Sequence, residues 1–204
     1  MSGVSRAASQ ASTASRASTA GPRALVALGS NLNDPYAQMC RARDLLAALG
    51  NLRAKSSLYR TAPVGGPAGQ PPYLNAVVAL VPHPHLHDPG AFLAALLDVE
   101  ARMGRTRSVR WGPRTIDLDL LDFGGAVVRS PGLTLPHPRM FERWFVLAPL
   151  CELDPGYRHP LDGRNACDAL ARRERTHAAR RDATARAGSE GGEPPAGERT
   201  TLPW

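Results

Sequence analysis

Two aspartates, Asp117 and Asp119, alternate with apolar residues in the segment 115–123, whose sequence is TIDLDLLDF. This alternation predicts a strand that carries both carboxylates on one face and its apolar side chains on the other. Adjacent carboxylates repel each other and favour a bound cation, and Mg²⁺ prefers one or two carboxylates together with phosphate oxygens. We therefore predict a magnesium site for phosphoryl transfer; a half-exposed strand whose aspartates simply face water is the alternative.

Four arginines come just before this strand, in a loop with Trp111 and a Gly-Pro pair: Arg105, Arg107, Arg110 and Arg114. A guanidinium group is a planar fork that matches phosphate oxygens and stabilises the charge that develops during transfer. The sequence has neither GxxxxGK[ST] nor GxGxxG, and Lys55 is its only lysine. A P-loop kinase is thereby excluded, and any phosphate site must use arginine, histidine, metal and backbone.

The elements that would position these groups follow the order strand, helix, strand, strand, helix, strand, with a further helix behind them. This order predicts an α+β fold with a ferredoxin-like core, an antiparallel sheet and helices packed on it. Two long, mobile loops rich in Gly with Pro or Arg, 61–72 and 104–113, are expected over the active site. The predicted elements span 24–28, 35–50, 52–60, 73–81, 89–103, 115–123 and 141–150.

The composition predicts one domain over 23–171 with disordered tails at 1–22 and 172–204, which contain few large apolar residues. A transit peptide is the alternative for 1–22, which is rich in Ser, Ala and Arg and has no acidic residue. The net charge is +7, but residues 24–170 hold fifteen basic against thirteen acidic residues, which leaves +2. This near balance argues against nucleic acid as a partner.

Three cysteines, Cys40, Cys151 and Cys167, are odd in number and widely spaced, which predicts neither a zinc site nor a disulfide framework and fits the cytoplasm. No apolar run approaches the ~20 residues of a membrane span. His83 and His85 alternate with prolines, with His87 beyond them. This pattern suggests a metal site only superficially, and a solvated connector is the preferred interpretation.

The segment 110–119, RWGPRTIDLD, resembles the signature of the 6-hydroxymethyl-7,8-dihydropterin pyrophosphokinase family. Four further segments agree with that family in order and spacing, so the resemblance covers about residues 24–160. They are 27–33 (ALGSNLN), 59–65 (YRTAPVG), 73–76 (YLNA) and 133–137 (LTLPH). Gly132 and Pro138 depart from the family pattern beside the last segment.

The resemblance implies transfer of pyrophosphate from ATP to 6-hydroxymethyl-7,8-dihydropterin in tetrahydrofolate biosynthesis, with release of AMP. It implies two Mg²⁺ ions on Asp117 and Asp119, and catalytic roles for Arg105 and Arg114. The implied pterin-binding residues are Thr61, Val64, Tyr73, Asn75, Trp111, Arg143 and Phe145. The implied ATP-binding residues are Glu100, Arg107, Leu120, Thr134 and His137.

Several alternatives remain open from the residues alone. A metal-dependent nucleotidyltransferase could also use two strand aspartates, and a basic nucleic-acid-binding module could use the arginines. Taken singly, Tyr73 and Phe145 could be ordinary core residues, and Asn75 a turn cap. We expect a cytoplasmic monomer whose partners are the two small-molecule substrates, without a membrane or nucleic acid.

Overall fold

The computed structural model describes residues 21–106, 111–187 and 197–204. Its main sheet has six strands, and every pairing in it is antiparallel. The strands are β1 (Ala24–Ser30), β2 (Gly50–Lys55), β3 (Tyr59–Thr61), β4 (Tyr73–Pro82), β5 (Asp117–Phe123) and β8 (Glu198–Arg199). A separate two-stranded sheet pairs β6 (Val128–Ser130) with β7 (Leu133–Leu135).

The strands of the main sheet are ordered β5-β1-β4-β3-β8, and β2 also pairs with β4. The helices are α1 (Pro35–Ala47), α2 (Pro89–Arg102), α3 (Trp144–Leu153) and α4 (Ala166–Ala187), and a short 3₁₀ helix covers Pro84–Leu86. Helix–strand order and sheet order together give the ferredoxin-like arrangement, so the predicted fold class is confirmed.

Helices α1 and α2 begin where the sequence predicts. The Asp34 carboxylate accepts a hydrogen bond from the Ala37 amide at 3.2 Å, and the Asp88 carboxylate accepts one from the Ala91 amide at 2.8 Å. In each case a proline occupies the first turn, where no backbone donor is needed. The caps fix where each helix leaves the sheet.

Two hydrophobic cores lie on opposite faces of the sheet. Alternate residues of β4 divide between them: Val78 and Leu80 pack against α1 and α2, whereas Val77 and Ala79 pack against α3. On β1, Val26 and Leu28 join the first core while Leu25 and Ala27 join the second. Both faces of the central strands are therefore covered over nearly their whole length.

The single strand predicted over 52–60 is wrong, because the chain forms β2 and β3 with a break between them. At the break the Ser56 amide donates to the Val77 carbonyl at 2.9 Å, and the Ser56 hydroxyl accepts from the Val77 amide at 3.0 Å. The Ser56 hydroxyl thus accepts the hydrogen bond that a backbone carbonyl would accept in a regular strand. This side-chain hydrogen bond competes with regular strand pairing.

The disordered tail predicted for 172–204 differs from the structure wherever the structure describes it. Helix α4 continues through residue 187, and 197–204 lies against the sheet with Trp204 only 6% exposed. The prediction relied on the scarcity of large apolar residues, but Ala and Arg are strong helix formers. Residues 1–20 and 188–196, also predicted to be disordered, lie outside the described residues.

The cysteines, for which no disulfide framework was predicted, form one disulfide. Cys151 at the end of α3 is joined to Cys167 at the start of α4, with their Cα atoms 5.1 Å apart, and Cys40 is free. The sequence could not reveal this pair because the two helices meet only after the turn between them folds. In the part of the chain that is described, no helix is long and apolar enough to cross a bilayer.

Candidate active site

The two predicted metal ligands lie on the face of β5 that the strand alternation predicts. Asp117 pairs in register with Gly29, and Asp119 pairs with Ala27 of the neighbouring strand β1. The leucines that alternate with them, Leu118 and Leu120, are buried in the core against α1 and α2. The aspartates therefore open onto the α3 side of the sheet, with side chains 24% and 32% exposed.

Asp117 is held by two guanidinium groups from the loop before β5. Arg105 Nη1 lies 2.7 Å from one of its carboxylate oxygens, and Arg114 forms a close hydrogen bond with the other. Burial opposes the charge on Arg114, but the negative charge of Asp117 and this hydrogen bond outweigh it and raise the pKa of Arg114. Arg114 thus stays cationic beside the carboxylate.

Asp119 has a cationic neighbour from the start of α3. Arg143 Nη1 donates to its carboxylate at 2.9 Å, and the Nε2 atom of His137 lies 4.0 Å from the same oxygen. Burial lowers the pKa of His137, although the charge of Asp119 opposes this shift. His137 is therefore predominantly neutral at neutral pH, and Arg143 supplies the positive charge next to Asp119.

Glu100 is a buried carboxylate behind this cluster, 3% exposed at the end of α2. It accepts a hydrogen bond from the Leu118 amide at 2.7 Å and forms a close ion pair with Arg105. Burial raises the pKa of Glu100, and the amide and Arg105 offset part of that shift. Arg105 therefore joins Glu100 to Asp117 and fixes where the loop enters β5.

A polar group on β4 forms the other side of the site. The Asn75 side chain is 6% exposed and donates to the Thr61 hydroxyl at 2.7 Å. A Cβ atom at Gly29 would come within 3.0 Å of the Asn75 amide oxygen, so glycine allows this close approach. Tyr73 donates its hydroxyl to the Gly112 carbonyl at 3.1 Å, and burial raises its pKa.

The start of α3 brings Arg143 and Phe145 to the same face of the sheet. The guanidinium carbon of Arg143 lies 5.7 Å from the centre of the Phe145 ring, a cation–π distance. Tyr73 and Asn75 face this side of the sheet as well, because they alternate with residues of the first core. A flat heterocycle between Tyr73 and Phe145 stays a prediction.

The two long loops meet over the site. The side-chain amide of Gln70 donates to the carbonyls of Gly65, Pro67 and Trp111 at 3.1–3.2 Å. The backbone of Gly66, at φ +80°, lies so close to Trp111 that a Cβ atom there would be 2.2 Å from the Trp111 carbonyl oxygen. The described part of loop 104–113 therefore contacts loop 62–72 directly.

Asn31, which holds both loops at the end of β1, was not among the residues predicted for the site. Asn31 is 2% exposed; its amide oxygen accepts from the Arg114 amide at 2.8 Å, and its side-chain nitrogen donates to the Pro71 carbonyl at 3.1 Å. Ser30 next to it donates to the Thr115 carbonyl at 2.6 Å. The sequence feature that could have identified Asn31 is a pair of polar residues directly after a run of apolar residues.

Comparison with known proteins identifies the family. The model of 7,8-dihydro-6-hydroxymethylpterin-pyrophosphokinase (HPPK) matches residues 25–155, well over half of the chain. The chain belongs to the HPPK family. The matched range holds every residue of the site described above.

The matches to curated HPPK relatives cover most of the length of those proteins. A 2-amino-4-hydroxy-6-hydroxymethyldihydropteridine pyrophosphokinase of Pseudomonas aeruginosa is 45% identical over 151 residues, which cover 73% of this chain and 90% of that protein. An enzyme of the same name from Bacillus subtilis is 42% identical over 132 residues, which cover 64% of this chain and 77% of that protein.

Solved structures support the HPPK fold at low sequence identity. The Plasmodium falciparum HPPK-DHPS structure with STZ-DHP superposes with a TM-score of 0.64 at 13% identity. The match covers 79% of this chain and 45% of that longer chain. This likeness concerns the fold alone.

Not all residues predicted from the HPPK resemblance converge on the carboxylates. Leu120 faces the core on the opposite side of the sheet, and Thr134 is exposed on β7, where it pairs with Arg129. Val64 is 70% exposed and Trp111 is 50% exposed on the loops. Arg107 lies outside the described residues.

The donor set fits a magnesium ion that shares its coordination with phosphate. Among the described residues no group of three or more His, Cys, Asp or Glu side chains could enclose a metal by itself. Two carboxylates on one strand face are nevertheless what Mg²⁺ needs when phosphate oxygens and water complete the octahedron. The HPPK site thus offers a half-shell of ligands with cationic groups around it.

Proposed function

We propose that this chain transfers the pyrophosphoryl group of ATP to the hydroxymethyl group of 6-hydroxymethyl-7,8-dihydropterin in tetrahydrofolate biosynthesis. Membership of the HPPK family supports this reaction. The observation that carries the proposal at the level of the site is the β5 carboxylate pair, which is surrounded by Arg105, Arg114 and Arg143. Such a site attracts a metal–triphosphate complex and neutralises its charge.

Asp117 and Asp119 would hold magnesium, and two ions is the number we propose. A metal held there by these two carboxylates would supply neutralisation of phosphate charge and help to align the triphosphate for in-line displacement. When the nucleotide enters, the guanidinium groups of Arg105 and Arg114 exchange the Asp117 carboxylate for phosphate oxygens. Planar donor forks make this exchange favourable because phosphate matches their geometry.

The pterin would lie on the α3 face beside Asn75. The Asn75 amide can exchange hydrogen bonds with the edge of a heterocycle while Thr61 fixes its orientation. Tyr73 and Phe145 would flank the pterin ring, and Arg143, which contacts both Asp119 and the Phe145 ring, would lie beside it. These groups bring the hydroxymethyl oxygen towards the carboxylate pair, where the triphosphate is held.

In the reaction, the hydroxymethyl oxygen attacks the β-phosphorus of ATP and forms a new P–O bond. The bond from the β-phosphorus to the α–β bridging oxygen breaks, and AMP leaves with that oxygen. The chain's contribution is positioning and stabilisation of negative charge on the transferred group. The contact of loop 104–113 with loop 62–72 supports exclusion of water, which would otherwise hydrolyse ATP.

The decisive experiment incubates the full chain with magnesium-ATP, with and without 6-hydroxymethyl-7,8-dihydropterin, and separates the nucleotides. We expect AMP to accumulate in step with the pterin diphosphate, and only when the pterin is present. Release of pyrophosphate instead of AMP would identify a nucleotidyltransferase. Formation of ADP would also refute the proposal.

We further propose that the chain acts as a cytoplasmic monomer without nucleic acid. Residues of one chain supply every group of the site, and the segment 24–170 is close to neutral. The Cys151–Cys167 disulfide removes the cysteine argument for a reducing compartment, so the location rests on the folate reaction alone. Light scattering after size-exclusion chromatography should give a mass near the chain mass of 21.8 kDa.

A further inference from the structure

The last eight residues, 197–204, lie along the outer edge of the main sheet, and we refer to them as the C-terminal segment. Strand β8 pairs antiparallel with β3, with Arg199 opposite Tyr59 and Glu198 opposite Arg60. The Thr200 amide continues this contact by donating to the Leu58 carbonyl at 2.7 Å. The segment lies outside the range 25–155 that matches the HPPK family, so the family does not explain it.

Trp204 anchors the segment. Its ring is 6% exposed and belongs to the core that α1 and α2 form with the sheet. The indole N–H donates to the Ser56 carbonyl at 2.8 Å, at the break between β2 and β3, and Lys55 Nζ lies 5.2 Å from the ring centre. Tyr36 at the start of α1 forms a close hydrogen bond with the Pro203 carbonyl. An aromatic ring buried with its polar atom paired stabilises strongly.

The backbone of the segment fits closely at its other end. A Cβ atom at Gly197 would lie 2.2 Å from the Arg60 carbonyl oxygen, so only glycine allows this approach. Arg199 Nη1 lies 4.0 Å from Glu152. Glu152 in turn accepts hydrogen bonds from the Tyr59 hydroxyl at 2.8 Å and the Ser57 hydroxyl at 2.7 Å. The segment thus contacts β3 directly by strand pairing and indirectly through Glu152 of α3.

Strand β3 is the element that carries Thr61 into the site. It has three residues, one β4 ladder holds its inner edge, and the loop 62–72 follows directly. Thr61 accepts the hydrogen bond that orients Asn75. A short edge strand with one ladder frays readily, whereas a second ladder on its outer edge restricts that motion.

We infer that the C-terminal segment positions the pterin side of the site by holding β3 from outside. Docked, it keeps Thr61 at the distance from Asn75 that presents the amide to the pterin edge, before the substrate arrives. In the part of the chain that is described, its polar contacts go to α1, to residues 56–60 and to Glu152, and none goes to Asp117, Asp119, Arg105 or Arg114. The segment therefore acts on pterin affinity and leaves ATP affinity unchanged; this inference rests on the proposed function.

The test compares Trp204→Ala with Leu202→Ala in the full chain. Leu202 belongs to the same segment but is 47% exposed, so its truncation removes a similar apolar group without releasing the anchor. We expect Trp204→Ala to raise KM for the pterin roughly tenfold, because preorganisation is lost. We expect kcat and KM for ATP to change less than about twofold, and Leu202→Ala to behave like the unmodified protein.

A second pair of variants guards against simple loss of folding. Gly197→Val leaves Trp204 in place but clashes with the Arg60 carbonyl, so it should raise KM for the pterin as well. Trp204→Phe keeps most of the buried ring and should restore much of the affinity. Hydrogen exchange of the peptides that cover 56–61 should be faster in Trp204→Ala and Gly197→Val than in Leu202→Ala.

The outcomes separate this inference from the proposed function. A protein that forms no pterin-dependent AMP would disprove the proposed reaction. If AMP is formed, but Trp204→Ala only lowers the melting temperature and leaves KM for the pterin unchanged, the segment is a stability element and the inference is overturned. Unchanged hydrogen exchange over 56–61 would overturn it as well.

Discussion

At the residue scale, the site is built from carboxylates that already have cationic partners. Asp117 lies between Arg105 and Arg114, and Asp119 is paired with Arg143. These ion pairs offset the repulsion between two negative charges at adjacent positions on one strand face. They also bring the arginines to the place where we propose that a metal–triphosphate complex binds. The same residues can therefore stabilise the protein alone and the substrate complex.

The carboxylate pair can be tested by replacing Asp119 with asparagine, which keeps its size and removes its charge. We expect kcat to fall by about 10²-fold or more, because an electrostatic contribution to the transition state is lost. The variant Asp117→Ala should lower kcat by a similar factor. The control is Asp44→Asn, since the Asp44 side chain is 67% exposed on α1. The measurement is the rate of AMP release with circular dichroism to verify folding, and ordinary turnover in either site variant would rule out the metal site.

A second residue-scale prediction concerns Arg114. Its guanidinium is partly buried and bonded to Asp117, so in the proposed reaction it would face the transferred group. We expect Arg114→Ala to lower kcat by about 10²-fold while KM for ATP changes less than about threefold. Arg139→Ala, which removes an arginine with a 50% exposed side chain, is the control. A variant that only weakens ATP binding would show that Arg114 acts in the ground state instead.

At the element scale, the site depends on two loops that contact each other as well as on the sheet beneath them. Asn31 joins the Arg114 end of one loop to the Pro71 end of the other, and Gln70 joins their middle parts. The sheet provides a fixed base because β1 is buried along its whole length. Strand β5 therefore positions the two carboxylates, the loop before it positions Arg105 and Arg114, and the start of α3 positions Arg143.

Two glycines of one loop isolate the contribution of the loop contact. Gly66 and Gly69 both have positive φ, at +80° and +77°, but only Gly66 lies against Trp111; a Cβ atom at Gly69 meets nothing within 4 Å. Alanine costs about the same backbone strain at both positions, roughly 1 kcal/mol. We expect Gly66→Ala to raise KM for the pterin roughly tenfold more than Gly69→Ala. Equal effects in steady-state kinetics would mean that the loop contact plays no part in binding.

Patterns that repeat along one element could be predicted from the sequence. The alternation in β5 predicts that Asp117 and Asp119 share a face, and the helices predicted at 35–50 and 89–103 begin at the residues where α1 and α2 begin. Features that need two distant segments to meet could not be predicted. The contacts of Asn31 appear only when both loops are folded, and the β2–β3 break depends on Val77 of another strand.

At the scale of the whole molecule, two described segments beyond the HPPK match, α4 and residues 197–204, are attached to the domain. Helix α4 is joined to α3 by the disulfide, and Trp204 is buried beside β2 and β3. The sequence suggested tails because both segments are poor in large apolar residues. A single tryptophan at the end of such a segment is enough to anchor it, and composition alone does not measure this.

Glu152 is the carboxylate that joins α3, β3 and the C-terminal segment. The direction of its pKa shift predicts how the stability of the folded protein depends on pH. Burial by itself would raise its pKa, but hydrogen bonds from Ser57 and Tyr59 outweigh burial and hold the pKa of Glu152 below its ordinary value of 4.5. An acid with a lowered pKa in the folded state stabilises the protein fully above its unfolded pKa. This stabilisation is lost as pH falls through the folded pKa.

The variant Glu152→Gln keeps the shape of the side chain and removes its charge. We expect it to lower the free energy of unfolding by about 1–2 kcal/mol near neutral pH, because charge-assisted hydrogen bonds become neutral ones. The difference from the unmodified protein should narrow as pH falls below about 4.5, where the carboxylate of the unmodified protein is progressively protonated. Glu142→Gln is the matched control, since the Glu142 side chain is 63% exposed. Urea unfolding across this pH range measures both differences, and a Glu152→Gln difference that stays constant down to the lowest pH would show that the charge of Glu152 does not hold α3 to the sheet edge.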